Sequence, residues 1–130
     1  MTLEEYNAFC ATLPATSHVV QWGGSHVWKV GGKVFAIAGR GDDGASRVTF
    51  KISPLAFDIL KEQPGCRPAP YLASRGFKWI QHFEAPGLPD DALQDYLRES
   101  HRIVSRGLSK KRRQALGLEN SDVPESADSL

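Results

Sequence analysis

Long apolar runs are missing from this chain of 130 residues: none reaches eighteen, the length a membrane-spanning helix requires. Cysteine is scarce. Cys10 and Cys66 are the only two and lie far apart, which removes a disulfide framework and a cysteine-zinc spacing. Two reduced thiols in a cytoplasmic protein are expected, with a single Cys10–Cys66 disulfide as the alternative. The first residues, Met1-Thr2-Leu3-Glu4-Glu5-Tyr6, are acidic where a secretory leader is basic, so none is expected. His18, His26, His82 and His101 show no H-x3-H spacing, so no metal is expected. Neither a P-loop nor a G-x-S-x-G elbow occurs, and the chain is expected to be neither an enzyme nor a cofactor carrier.

The charge that is present is divided unevenly. All sixteen basic residues precede position 114, while four of the fifteen acids fall at Glu119, Asp122, Glu125 and Asp128. Residues 1–117, with eleven acids, therefore carry +5, and residues 118–130 carry −4. A mildly basic body with an acidic end is compatible with a nucleic-acid partner. We expect one domain over 1–117 and a disordered acidic tail over 118–130.

Local patterns give the order of elements. Thr2 with Glu5 forms a capping box ahead of Leu3, Tyr6, Phe9/Cys10 and Leu13 at helical spacing. A first strand is expected over 19–22. Apolar runs at 26–30 and 33–38 flank Gly31-Gly32, a tight-hairpin signal because such turns need positive φ. In residues 47–52, Val48, Phe50 and Ile52 alternate with Arg47, Thr49 and Lys51, a half-buried strand with a basic outer face. Ser53-Pro54 starts a short helix, residues 63–73 read as an ordered loop, and a strand over 77–83 centres on Trp79. A long helix begins near Asp90, with Leu93, Tyr96, Leu97, Ser100, Val104 and Leu108 on one face and Arg98, Arg102 and Arg106 opposite. The order α-β-β-β-β-α-β-α predicts an α+β two-layer sandwich, an antiparallel sheet with helices packed on one face.

Several of these residues resemble the MmcQ/YjbR family. They are Trp22-Gly23, Trp28-Lys29-Val30, Gly32-Lys33-Val34-Phe35-Ala36, Lys51, Pro70-Tyr71-Leu72, Trp79, and Ser100 through Leu108 to Lys110-Lys111. The resemblance spans about residues 2–112. It implies a CyaY-like fold and a double-wing arrangement in which paired hairpins grip DNA. Two departures stand out: His101 replaces an aromatic after the helix serine, and Ser74-Arg75-Gly76-Phe77-Lys78 replaces a lysine-arginine-histidine run. Iron binding, raised by the CyaY comparison, calls for an acidic ridge, and the first helix offers only Glu4 and Glu5.

The expected function is binding of double-stranded DNA, largely through its phosphates, without enzymatic activity. The candidate contacts are Lys33, Lys51, Arg75, Lys78, Trp79, Arg102 and Arg106. The plain alternatives are a solvated helix face for the arginines, solubility for the lysines, and a core position closing the sheet against the last helix for Trp79. Trp22 and Trp28 are expected in core or hairpin packing. Asp42 and Asp43, in the glycine-rich loop 39–44, would repel phosphate. The alternative function is a protein- or small-anion-binding adaptor with a pocket around Trp79 and Arg75. A monomer is expected.

Overall fold

Thr2 starts the first helix as its spacing predicts. Its Oγ1 accepts from Glu5 N (3.1 Å), its own N–H donates to Glu5 Oε1 (2.8 Å), and α1 runs Leu3–Ala11. The computed structural model describes residues 1–41, 46–70, 72, 78–84 and 87–118. The strands are β1 (Thr16–Gln21), β2 (Ser25–Val30), β3 (Lys33–Arg40), β4 (Ser46–Lys51), β5 (Cys66–Pro68) and β6 (Trp79–His82). They form one antiparallel sheet in the order β1-β2-β3-β4-β6-β5. The helices that follow α1 are α2 (Pro54–Leu60), α3 (Asp90–Arg106) and α4 (Lys110–Ala115). Ser53 caps α2 by accepting from Ala56 N, and Ser109 caps α4 by accepting from Arg112 N.

Several boundaries differ from expectation; β6, expected over 77–83, stops at His82, and residue 77 lies outside the described residues. The first strand begins at Thr16 and stops before Trp22, whose φ of +53° breaks the extended backbone. The expected loop over 63–73 contains β5, which adds an edge strand; Pro68 ends it at the rim of the sheet, where its missing N–H costs no ladder bond. The last helix turns at Gly107, and residues 110–113 open a separate short helix. Arg113 Nη1 donates to the carbonyls of Arg106 and Leu108, satisfying the end of α3, so part of this basic run is structural.

One face of the sheet is the core. Trp28, Ala36, Phe50 and Ile80 are cross-strand neighbours in register on β2, β3, β4 and β6, and all are buried. Against them pack Tyr6 and Cys10 from α1, Leu93, Leu97 and Val104 from α3, and Leu108 and Leu118 beyond it. The ladder slips once: Trp28 pairs with Ala36 but Lys29 pairs with Val34, so Phe35 is a bulge with no partner on β2. Ser100, fully buried on α3, fills the gap. Its hydroxyl donates to Phe35 O (2.6 Å) and accepts from Lys51 N (2.9 Å). Both cysteines are buried free thiols, and burial pushes Cys10 up to about 12.

Candidate functional site

Among the described residues α1 and α3 pack on the core side, and the opposite face is open in part: Val27, Thr49 and Trp79 on it are buried, while Lys29, Arg47, Lys51, Arg67 and Gln81 are half-buried. By alternation this open face carries Ser17, Val19, Val27, Lys29, Ile37, Arg47, Thr49, Lys51, Arg67, Trp79 and Gln81. A hydrogen-bonded row crosses it. Arg67 donates from Nε (2.9 Å) and Nη2 (2.7 Å) to Gln81 Oε1, and Gln81 Nε2 donates to Thr49 Oγ1 (3.3 Å). The Arg67 guanidinium also lies over the Phe83 ring, 4.4 Å from its centroid, a cation–π contact that adds to its hold on Gln81.

Beside this row is a concavity of about 290 Å³, lined by Ser25, Ile37, Gly39, Arg40, Gly41, Arg47, Thr49 and Gln81. Gly41 makes room for it. A Cβ there would meet Cζ, Nε and Nη2 of Arg47, so a side chain at 41 would displace this guanidinium from where it lies. Gly39-Arg40-Gly41-Asp42-Asp43-Gly44 spells G-x-G-x-x-G, but the next element is the antiparallel strand β4, so no helix N-terminus is there to hold a pyrophosphate. The positive charge at this end is that of Arg40 and Arg47.

The structure brings some of the expected contacts together and separates others. Lys51 and Trp79 are direct cross-strand partners on the open face, and Trp79 is 8% exposed. Trp79 thus lies on the side away from α3. Lys78, next to it, sits 4.9 Å from the Phe57 ring centroid. Lys33 stands exposed at the start of β3. Arg102 and Arg106 belong to α3 on the other side of the sheet. Arg102 is ion-paired with Glu99, its Nε donating to Glu99 Oε1 at 3.0 Å. Arg75 and Tyr71 lie outside the described residues, so the pocket expected around Trp79 and Arg75 does too. Sequence reasoning missed Arg40, Arg47, Arg67 and Gln81. Alternation of 47–51 already put Arg47 beside Lys51, whereas Arg67 sits in a proline-rich stretch with no strand signal.

Two further groupings lie on the helix side. His18 Nε2 and His26 Nδ1 are 3.0 Å apart with rings stacked at 5.1 Å, and His18 also stacks on Trp28. Asn7 Oδ1 accepts from Trp28 Nε1 (2.9 Å), which turns Asn7 Nδ2 toward His26 Nδ1 (3.2 Å) and makes that nitrogen the acceptor. Burial, then the neighbouring His26, lowers the pKa of His18. Among the described residues no three His, Cys, Asp or Glu side chains group as a metal site. Between the end of α1 and α3 lies a cleft of about 410 Å³ lined by Leu13, Pro14, Arg98, Glu99, His101, Arg102 and Ser105.

The model of the YjbR family matches residues 11–103, from the end of α1 to the last turns of α3. The chain belongs to the YjbR family. Its fold is that of other solved structures. Deinococcus radiodurans protein DR2400, described as a DUF419 domain, superposes with a TM-score of 0.75 at 23% identity over 90% of this chain and 88% of that one. A Pseudomonas syringae protein superposes with a TM-score of 0.64 at 17% identity over 79% of this chain and 98% of that one. No curated protein matches the chain. In this YjbR chain His101 replaces the aromatic that the resemblance implies after Ser100. Its ring keeps an aromatic edge contact to Phe35 (5.2 Å, 86°), and Nε2 donates to Pro14 O (2.8 Å). No helix of the described residues is long and apolar enough to cross a membrane.

Proposed function

We propose that this YjbR protein binds nucleic acid through the open face of its sheet, without catalysing a reaction, and that phosphates supply most of the contacts. One observation carries this reading. The six strands hold Lys29, Lys33, Arg40, Arg47, Lys51 and Arg67 and not one carboxylate. Every acidic side chain of the described residues is on a helix or a connection. Lys29, Arg47, Lys51 and Arg67 occupy open-face positions on three strands, β2, β4 and β5. The patch measures roughly 13 Å along β4, from Arg47 to Lys51, and about 19 Å across from β2 to β5. Strands whose charged side chains are all of one sign attract a polyanion and position it without reading its bases.

This interface differs from one built on hairpin wings plus the α3 arginine stripe, because α3, which carries Arg102 and Arg106, lies across the sheet from the open face. The test is fluorescence anisotropy of labelled oligonucleotides, duplex and single-stranded, at low and moderate salt. The Arg47→Ala/Lys51→Ala variant should bind more weakly, its salt slope reduced by about one unit for each phosphate it no longer neutralises. Arg102→Ala/Arg106→Ala should bind as the wild type does. Wild-type protein that ignores both oligonucleotides at low salt, or an open-face variant with unchanged affinity, overturns the proposal.

A further inference from the structure

Among the large hydrophobic side chains of the described residues, Trp22 is the most exposed aromatic, at 63%. It also sits at φ +53°, in the left-handed region that L-residues with a side chain avoid. Gly23 (φ +76°) and Gly24 (φ +103°) continue the same backbone, and a Cβ at either would meet nothing within 4 Å. Folding gains little from an indole here. It leaves its apolar surface in water, and its backbone conformation is one that glycine would adopt without strain. An unfavourable backbone state around an unburied aromatic is the arrangement found where a side chain is presented to something outside the fold.

The turn that carries Trp22 is at the same end of the sheet as the arginine concavity. Gln21 and Ser25 are the closing pair of the β1–β2 ladder, immediately flanking Trp22 to Gly24. Ser25 lines the concavity with Arg40 and Arg47, and a Cβ on Gly39 would lie 3.5 Å from the Ser25 hydroxyl oxygen. The Trp22 turn and the arginines thus share one end of the sheet, with β2 and β4 about 10 Å apart. An exposed π-face at the same end of the sheet as a concavity that includes two arginines suits a nucleobase joined to a phosphate.

Building on the open-face reading above, we infer that Trp22 is a stacking platform for an unpaired base, so that the protein prefers single-stranded nucleic acid to duplex. In a duplex the base faces are already stacked on one another. In a single strand they are free, and aromatic stacking is tolerant of sequence. The substrate class is therefore a single strand whose base rests on Trp22 while its neighbouring backbone runs along the basic strand positions of the same sheet.

The experiment compares a labelled twelve-residue oligo(dT) with a blunt duplex of the same length, using full-length wild type, Trp22→Ala, Trp22→Phe and Trp22→Gly. Wild type should favour the single strand. Trp22→Ala should lose roughly 5- to 150-fold on the single strand and little on the duplex, and Trp22→Phe should retain most of the affinity. Trp22→Gly should melt at or above the wild-type temperature while losing single-strand binding, which a merely structural tryptophan would not do. If both forms bind equally and Trp22→Ala matches wild type, the stacking inference falls and the open-face reading stands. If neither form binds at low salt, both fall. If the Trp22 variants instead lose a protein partner and bind oligo(dT) normally, the tip is a protein contact and the inference is wrong.

Discussion

Ser100 shows how much one buried hydroxyl can hold. Its oxygen joins the bulged carbonyl of Phe35 on β3 to the N–H of Lys51 at the end of β4, so two backbone groups outside the ladder are satisfied by one side chain. Ser100→Ala leaves both without that partner and should cost about 2–4 kcal/mol in chemical denaturation. A loss below about 0.5 kcal/mol would show that the strands close the gap themselves. The sequence put Ser100 on the apolar face of α3, but its partner comes from a register slip between β2 and β3 that local patterning does not contain. Trp22 and Trp79 were opaque for related reasons. The exposure of Trp22 follows from a positive φ next to two glycines, and the side of Trp79 follows from its pairing with Lys51. Neither follows from being tryptophan.

Among the elements, the β2–β3 hairpin was the most legible, since Gly31-Gly32 between two apolar runs leaves few other conformations. Both glycines take positive φ, +58° and +85°. Gly31 has a second role that the sequence does not announce. A Cβ there would lie 2.6 Å from Leu108 Cδ1 and 3.0 Å from Leu116 Cδ1, and Arg112 Nη2 reaches Gly31 O at 3.4 Å. The turn is the seat on which the α3–α4 corner rests. A Cβ on Gly32 would meet nothing within 4 Å. Gly32→Ala should therefore cost only the left-handed strain of about 1–2 kcal/mol, while Gly31→Ala should cost that and more by displacing two leucines. Equal losses in thermal melts of the two variants would show that the corner does not depend on the turn. The alternation in β4 was also legible, and with it which residues share the open face. The sheet order β4-β6-β5 was not, because β5 is three residues long and bounded by a proline.

On the scale of the whole molecule the two faces differ in what a proton does to them. The open face holds fixed positive charge, and the helix side holds the histidines that resist charging. His101 is buried between Phe35 and the Pro14 carbonyl, and burial lowers its pKa against the opposing pull of that hydrogen bond. His82 is lowered by burial first and then by the N-terminal amine, with Asp90 pulling the other way; its Nε2 is buried without a hydrogen-bond partner among the described residues. His18 is lowered as well, by burial and His26. Each of these rings binds its proton more readily in the unfolded chain, near pH 6.5, than in the folded one. Below that pH the unfolded state takes up more protons, so stability is fully present above about 6.5 and is lost as the solution is acidified toward the lowered folded values. Melting temperature should fall steadily from pH 7 to pH 5. His101→Gln keeps an N–H in place of Nε2 for the Pro14 carbonyl but cannot titrate, so its stability should fall less steeply. The difference in slope is at most about 1.4 kcal/mol per pH unit, the linkage limit for one proton. Denaturation of both proteins at half-unit steps of pH measures it directly, and parallel curves would mean that His101 ionises equally in the folded and unfolded chain.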